Sequence, residues 1–308
     1  MHHFLIWSGQ RARYILILGC IAALFVPSIS TLMRPLLPLL IVMVLGVSIA
    51  RIDLISFAHG LLSLRHVAGL VITSLLIMPL TSLVMYVLLN TLPLAQPYVI
   101  TGVLFALAPP LSSAAGLCFI LGYDARRALE VTLIATLMAP LTGPIMLGVL
   151  LPDLPSPTTT ALILKLSGMI GGGLLMGAII QMLMGRSRIA ALKYEFDAIS
   201  AYTMVLFVLP LFDGVGVAIL ADPLRAALVL CFAMTLNFGS HIMVRKIAPT
   251  SDETAGALGL MWGNRNVALY IAALPFDPFF SLFVAMYQVP MYATPLVFAR
   301  RPISRAPQ

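Results

Sequence analysis

Charge is scarce in this chain. Asp, Glu, Lys and Arg together make up 9% of its 308 residues, whereas a soluble domain carries about 25%. Apolar residues make up 61%, and a soluble globule of this length has too little interior to hide them. That excludes an ordinary water-soluble fold and leaves a lipid bilayer as the solvent. Cysteine is also rare. Cys20, Cys118 and Cys231 are widely spaced and set within apolar runs, which excludes a disulfide framework or a zinc site and reads as small buried side chains. Histidine is limited to His2, His3, His59, His66 and His241, and these supply none of the paired ligands that a metalloprotease needs. No serine has a base near it in the pattern of a hydrolase. Neither enzyme activity nor a cofactor is therefore expected. Acidic residues are missing from the middle of the apolar runs, which argues against cation/proton antiport, a chemistry that needs titratable carboxylates inside the membrane. The formal net charge is +7, but no basic patch is interleaved with aromatics, and nucleic acid is not expected as a partner.

What is present is a series of apolar runs. A spanning helix needs about 20 mostly apolar residues, and the chain predicts ten spans: Tyr14–Met33, Pro35–Ala50, Val67–Leu89, Tyr98–Tyr123, Ala128–Leu151, Ala161–Met184, Ala198–Phe212, Ala226–Val244, Thr254–Leu274 and Phe279–Phe298. The first is long for a signal-peptide core and no cleavage pattern follows, so it reads as a retained helix. The second and seventh are short, and the seventh has room to extend past Asp213 toward Leu220. No connection is long enough to fold as a soluble domain, so the whole chain, 1–308, reads as one membrane domain with short termini.

Basic residues give the orientation, because cytoplasmic loops are enriched in Lys and Arg. With the N-terminus inside, the cytoplasmic segments hold Arg11, Arg13, Arg51, Arg65, Arg126, Arg127, Arg186, Arg188, Lys193, Arg245, Lys246, Arg300, Arg301 and Arg305. The opposite side holds only Arg34, Lys165 and Arg225, and Arg265 falls inside a span. External loops carry Asp153, Asp213, Asp222 and Asp277 instead. A miscounted span would scramble this alternation. Both termini are thus expected in the cytoplasm, and the arginine-rich usage points to the plasma (inner) membrane of a bacterium.

The ten spans divide evenly, with repeat 1 over residues 14–151 and repeat 2 over 161–298. Five is odd, so the second half starts from the opposite face. This inverted-topology repeat is an architecture of secondary transporters. The fourth span of each half is interrupted. In the first half the interruption is Ala108-Pro109-Pro110; proline has no amide donor and clashes with the preceding turn, so a tandem pair unwinds a helix. In the second it is Gly263-Asn264-Arg265-Asn266. Unwound backbone in a membrane is tolerated only where protein or a water-filled cavity surrounds it, and two breaks at matching places point to a binding site. Pro79, Pro140, Pro144 and Pro210 read as ordinary kinks.

The stretch Ala108-Pro-Pro-Leu-Ser-Ser-Ala-Ala-Gly, with Thr132 and Ala139-Pro140-Leu-Thr-Gly-Pro144 after it, resembles helices four and five of the bile acid:sodium symporter family. Gly263-Asn-Arg-Asn266-Val-Ala-Leu269 resembles that family's interrupted ninth helix. The resemblance covers the whole chain in topology and three segments in motif, and marks a divergent member. It implies an all-α polytopic fold in which spans 4 and 9 cross, a core of spans 3–5 and 8–10, and a panel of spans 1, 2, 6 and 7. It also implies transport of a small organic anion by rocking of core against panel. The departures are at the sodium ligands. The family's Ser and Asn after the first break become Ala114 and Ala115, the Ser early in helix five becomes Ala128, the Glu becomes Met261 and the Gln becomes Arg265, with only Thr132 kept. Sodium prefers oxygen donors, so sodium dependence is not implied.

Arg265 is the most informative residue. An arginine at the centre of a membrane helix costs about 2.5–3.5 kcal/mol on insertion scales, and such residues usually face a cavity or pair with an acid. One reading makes its guanidinium the surrogate for the missing sodium charge or the ligand of a substrate anion, which its fork matches in bidentate fashion. Asn264, Asn266, Ser112, Ser113 and Thr132 would then add neutral hydrogen bonds, beside Pro109, Pro110 and Gly263 of the breaks. The other reading ties Arg265 to backbone carbonyls at the break or to Glu130. Lys165 is expected to snorkel outward. His241 reads as an interfacial histidine or as a proton carrier, and Asn237 as a bond to a neighbouring helix. Gly168 and Gly171-Gly172-Gly173 with Gly177 read as close packing or a hinge. Taken together, the expectation is a secondary active transporter of a small organic anion. The alternative is a sodium-independent carrier of the auxin-efflux type.

Overall fold

The computed structural model describes residues 2–26, 31–52 and 64–298. His59, Arg300, Arg301 and Arg305, and most of the loop between the second and third predicted spans, lie outside the described residues. In chain order the α-helices are α1 (His2–Gln10), α2 (Ala12–Ala23), α3 (Leu37–Ala50), α4 (Leu64–Thr91), α5 (Gln96–Leu107), α6 (Ala114–Leu121), α7 (Ala125–Leu150), α8 (Thr159–Met184), α9 (Arg186–Ala191), α10 (Lys193–Leu211), α11 (Val215–Ala221), α12 (Pro223–Met234), α13 (Ser240–Ile247), α14 (Asp252–Gly263), α15 (Ala268–Ala273) and α16 (Pro278–Val297). A 3-10 turn, Arg34–Leu36, leads into α3, and a π turn, Thr235–Gly239, joins α12 to α13. No strand occurs among the described residues. Helix is the expected solution, since only helices or closed barrels satisfy every backbone group inside lipid.

Among the described residues, seven helices are long and apolar enough to cross a membrane: Thr31–Ala50, Arg65–Thr91, Ala125–Leu150, Thr159–Met184, Lys193–Leu211, Pro223–Ile247 and Pro278–Val297. The described chain is thus helical, with the long apolar helices of a membrane-embedded protein. The other three predicted spans are built from shorter pieces. Tyr98–Tyr123 becomes α5 and α6, and Thr254–Leu274 becomes α14 and α15, each divided at the predicted interruption. Tyr14–Met33 is a correction: α2 stops at Ala23, well short of Met33. The N-terminal α1 is an element that hydropathy did not suggest. It packs on α10, where the Ser8 and Tyr202 hydroxyls share a 2.8 Å hydrogen bond. The extension of the seventh span is a separate helix, α11, because Gly214 takes a left-handed conformation (φ 72°) that ends the run.

Local chemistry explains most boundaries. Asp124, Thr158, Asp222, Ser251 and Asp277 each accept a backbone N–H in the first turn of the following helix, satisfying a donor that the helix leaves open. Pro79, Pro140, Pro144 and Pro210 sit inside continuous helices, as single prolines in membrane helices often do. By contact the helices form two groups. One joins α1, α2, α3, α8 and α10; the other joins α4 to α7, α12 to α14 and α16; contacts between α7 and α8 link them. The glycine run belongs to the first group. Gly173 and Gly177 bring the α8 backbone against Leu45 and Ile49 of α3, where a Cβ would lie 2.6 and 2.7 Å from side-chain carbons. These two glycines serve close packing.

Candidate functional site

The two interruptions lie against each other. Pro110 and Arg265 form an isolated antiparallel bridge. Leu111 donates its N–H to the Asn264 carbonyl (2.8 Å) and Asn266 donates to the Pro109 carbonyl (2.8 Å). Two prolines cannot donate, but their carbonyls still need partners, and the opposite break supplies them. Four further carbonyls at the two broken ends also have partners. Leu107 O accepts from the Tyr270 hydroxyl (3.3 Å), and Ala108 O from Arg265 Nη1 (2.9 Å). Trp262 O accepts from Arg265 Nε (3.2 Å), and Gly263 O from the Tyr287 hydroxyl and Asn237 Nδ2 (2.6 Å each). Six carbonyls that two ordinary helix ends would leave open are thus closed, as buried backbone requires. Gly143 leaves room for the Tyr270 hydroxyl, with which a Cβ there would collide.

Arg265 is 2% exposed and bonds carbonyls rather than a carboxylate. Its guanidinium also lies 4.8 Å from the Trp262 ring centroid. Both α5 and α14 end at this point, and the partial negative charge of each helix C-terminus solvates the guanidinium through the carbonyls it bonds, while the side chain remains a cation. Of the sequence-level alternatives, the tie to backbone carbonyls is the one present. Glu130 is engaged elsewhere, by His66 Nε2 (3.0 Å), Arg126 Nε (3.1 Å) and Arg127 Nη1 (3.6 Å).

A cavity of about 700 Å³ opens beside the crossing. Ser112, Ser113, Arg265 and Asn266 line it on the side of the breaks. Ile41, Leu45, Phe207 and Val208 of α3 and α10 line it opposite, with the Arg51–Asp197 ion pair (2.7 Å) also on its wall. Among the described residues, the side chains of Ser112, Ser113 and Asn266 have no hydrogen-bond partner, so their polar atoms remain available to a ligand. The cavity is mostly apolar, with Ser112, Ser113, Asn266 and the cation Arg265 on the side of the breaks and the Arg51–Asp197 pair at one end of the opposite wall.

Not every predicted site residue faces this cavity. Pro109, Pro110 and Gly263 shape the breaks. Asn264 is fully buried, and its amide is spent on Leu260 O (3.2 Å) and Thr294 Oγ1 (3.4 Å). Thr132 does not join the group either. Its hydroxyl lies 3.6 Å from the Met261 sulfur, beside an apolar cluster of Ala114, Cys118, Leu121, Tyr123, Ala128, Ala257, Leu260 and Met261. Ala114, Ala128 and Met261 are positions where the family resemblance would put sodium ligands. Methyl groups and a thioether supply none of the oxygens sodium needs, so these residues do not fit the ion. Among the described residues, no cluster of His, Cys, Asp and Glu suits another metal.

Three residues important to the site escaped the sequence reading in whole or part. Asn237, Thr294 and Tyr287 are each fully buried. Asn237 Oδ1 accepts from Thr294 Oγ1 (3.1 Å), and the Tyr287 hydroxyl accepts from the Arg265 N–H (2.7 Å). Asn237 lies in the π turn, a distortion common at functional positions. The only sequence signal was a polar residue within an apolar run. Lys165 is exposed, and its ammonium donates to the Ala273 carbonyl (3.2 Å) at the end of α15, where a helix end presents unpaired carbonyls. Compared with known proteins, the chain matches no family model, and no curated protein sequence matches it.

Proposed function

We propose that this protein is a secondary active transporter of a small organic anion. In this reading it has ten membrane-spanning segments in two inverted repeats and works by alternating access. The observation that carries the reading is the pair of broken helices meeting at a two-sided cavity around a permanent cation. Interrupted helices at matching places in two halves are the usual setting of a transporter's binding site. An amphipathic anion suits such a cavity, its apolar body against Ile41, Leu45 and Phe207 and its charged end toward Arg265, Ser112, Ser113 and Asn266.

Arg265 acts here as a fixed countercharge. Its carbonyl bonds hold the two broken ends together and leave it no freedom to travel with a substrate. With both termini in the cytoplasm, Arg51 and Asp197 fall at the cytoplasmic ends of their helices, and the cavity faces inward in a bacterial plasma membrane. The apolar packing of Ala114, Ala128 and Met261 favours the sodium-independent form of the reading, in the manner of an auxin-efflux-type carrier.

A thermal-shift screen of the purified protein against small organic anions, with and without sodium, tests this, since a true ligand stabilises by mass action. We expect at least one carboxylate or sulfonate to raise the unfolding temperature equally in both conditions, and Arg265→Gln to abolish its uptake into proteoliposomes. Uptake unchanged by Arg265→Gln would sink the role given to the cation.

A further inference from the structure

Helices α3 and α10 are tied at both ends by an Arg–Asp pair, with the arginine contributed from the α3 side each time. Arg51 meets Asp197 at one end (2.7 Å) and Arg34 meets Asp213 at the other. Seventeen residues of helix separate the two arginines, a rise of about 25 Å. The two ends differ in what surrounds them. At Arg51 lies the large cavity. At Arg34 lies a separate cleft of about 260 Å³ lined by Arg34, Lys165, Ile271, Leu274, Phe276 and Ser281.

Among the described residues, two cations line this second cleft, Arg34 in its ion pair with Asp213 and Lys165 with no carboxylate partner, and no carboxylate is part of the lining. Asp213 sits behind Arg34, with its other oxygen accepting from Thr31 Oγ1 (3.0 Å). Asp277 is spent on capping α16 through the Phe280 N–H (2.6 Å). The Arg34 guanidinium lies 3.6 Å from the Phe276 ring centroid, and its Nε is buried without a partner. Lys165 has only the neutral Ala273 carbonyl as its hydrogen-bond acceptor among the described residues. A desolvated donor left open is costly, and two cations facing one cleft attract an anion from solution. The volume is below that of a pocket for a drug-sized ligand, so it suits a small anion or the charged end of a larger one.

We propose that Arg34 and Lys165 form a second binding site, remote from the cavity at the crossing, for a small carboxylate or sulfonate. Arg34 supplies the exposed part of its guanidinium and Lys165 the ammonium. Binding would exchange the Lys165–Ala273 bond for one to the ligand and so release α15, the second half of a broken helix, from α8. This last consequence rests on the transport reading, in which the cleft lies on the external face; the binding itself does not.

The three lysines, Lys165, Lys193 and Lys246, make the test direct. The purified full-length protein is labelled with trinitrobenzenesulfonate, an anionic amine reagent, and separately with neutral N-hydroxysuccinimidyl acetate, and each lysine is quantified by peptide mass spectrometry. Lys165 should favour the anionic reagent over the neutral one more than the other two lysines do. Benzoate or sulfate at about ten times its dissociation constant should slow Lys165 labelling about tenfold and leave Lys193 and Lys246 unchanged. Arg34→Gln should weaken this protection, and Arg265→Gln should leave it intact even where uptake is lost, so failure of the site and failure of the transport reading come apart. Lys165 that is unreactive to both reagents, or labelled at the same rate with and without either anion, overturns the proposal, as does loss of protection in Arg265→Gln.

Discussion

The two helix breaks reach the same geometry by different routes. The first is local. Pro109 and Pro110 remove two consecutive amide donors and clash with the preceding turn, whereas the separate prolines Pro140 and Pro144 leave α7 continuous. The second contains no proline, and Asn264, Arg265 and Asn266 could each extend a helix. What stops α14 is the competition for its carbonyls: Asn237 and Tyr287 take Gly263 O, and the Leu111 N–H takes Asn264 O. One break is written into covalent structure and the other is imposed by neighbours 24 residues away or more in the chain. The comparison teaches that a membrane helix can be opened without proline where enough donors converge on its last turn.

Arg265 serves both breaks, so its loss should have the largest effect. Arg265→Leu leaves the carbonyls of Ala108 and Trp262 without a donor and two helix ends without a countercharge. We expect a loss of about 3 kcal/mol, from two charge-assisted hydrogen bonds at the usual scale, read from thermal unfolding in detergent. Asn237→Leu should come next and touch the second break alone. The expected loss is about 2 kcal/mol, and in the double variant with Arg265→Leu the two losses should add to less than their sum, as coupled residues do. Pro110→Ala should lower stability by under about 1 kcal/mol, because the bonds from Leu111 and Asn266 hold the first break open once formed. If Pro110→Ala proved more damaging than Asn237→Leu, the contrast drawn here would be reversed. His241 sharpens the picture from the other side. It is one turn beyond Asn237, fully buried, and stacked 3.8 Å from Phe298, with both ring nitrogens unpartnered among the described residues. It makes none of the bonds that hold the break. His241→Leu should raise stability by about 1 kcal/mol, and a clear loss instead would show that the imidazole has a partner.

Much of the architecture could be read from residues alone. Apolar runs, the tandem prolines and the acidic or hydroxyl caps before helices are local features whose physics acts within a few residues. Tyr14–Met33 failed because hydropathy measures how well a segment tolerates lipid and says nothing about where its helix ends. The candidate site was legible as a location more than as a set of roles. Ser112, Ser113, Arg265 and Asn266 share the cavity, but Thr132 and Asn264 turn into packed interior, and nothing in their spacing distinguishes the two outcomes. The bond from Lys165 was illegible for a similar reason, since its carbonyl partner lies 108 residues away.

The sequence by itself determined that this chain lives in lipid, which segments are apolar enough to cross it, and that one helix must open at Pro109 and Pro110. These follow from side-chain hydropathy and from two adjacent prolines, which together withhold consecutive donors and clash with the turn before them. Only the tertiary structure decided that Arg265 would spend a donor on Ala108, 157 residues away, and that Asn237 and Tyr287 would hold the second break open. Those outcomes depend on which distant carbonyls come within about 3 Å of a donor, a distance that exists only after the helices have packed.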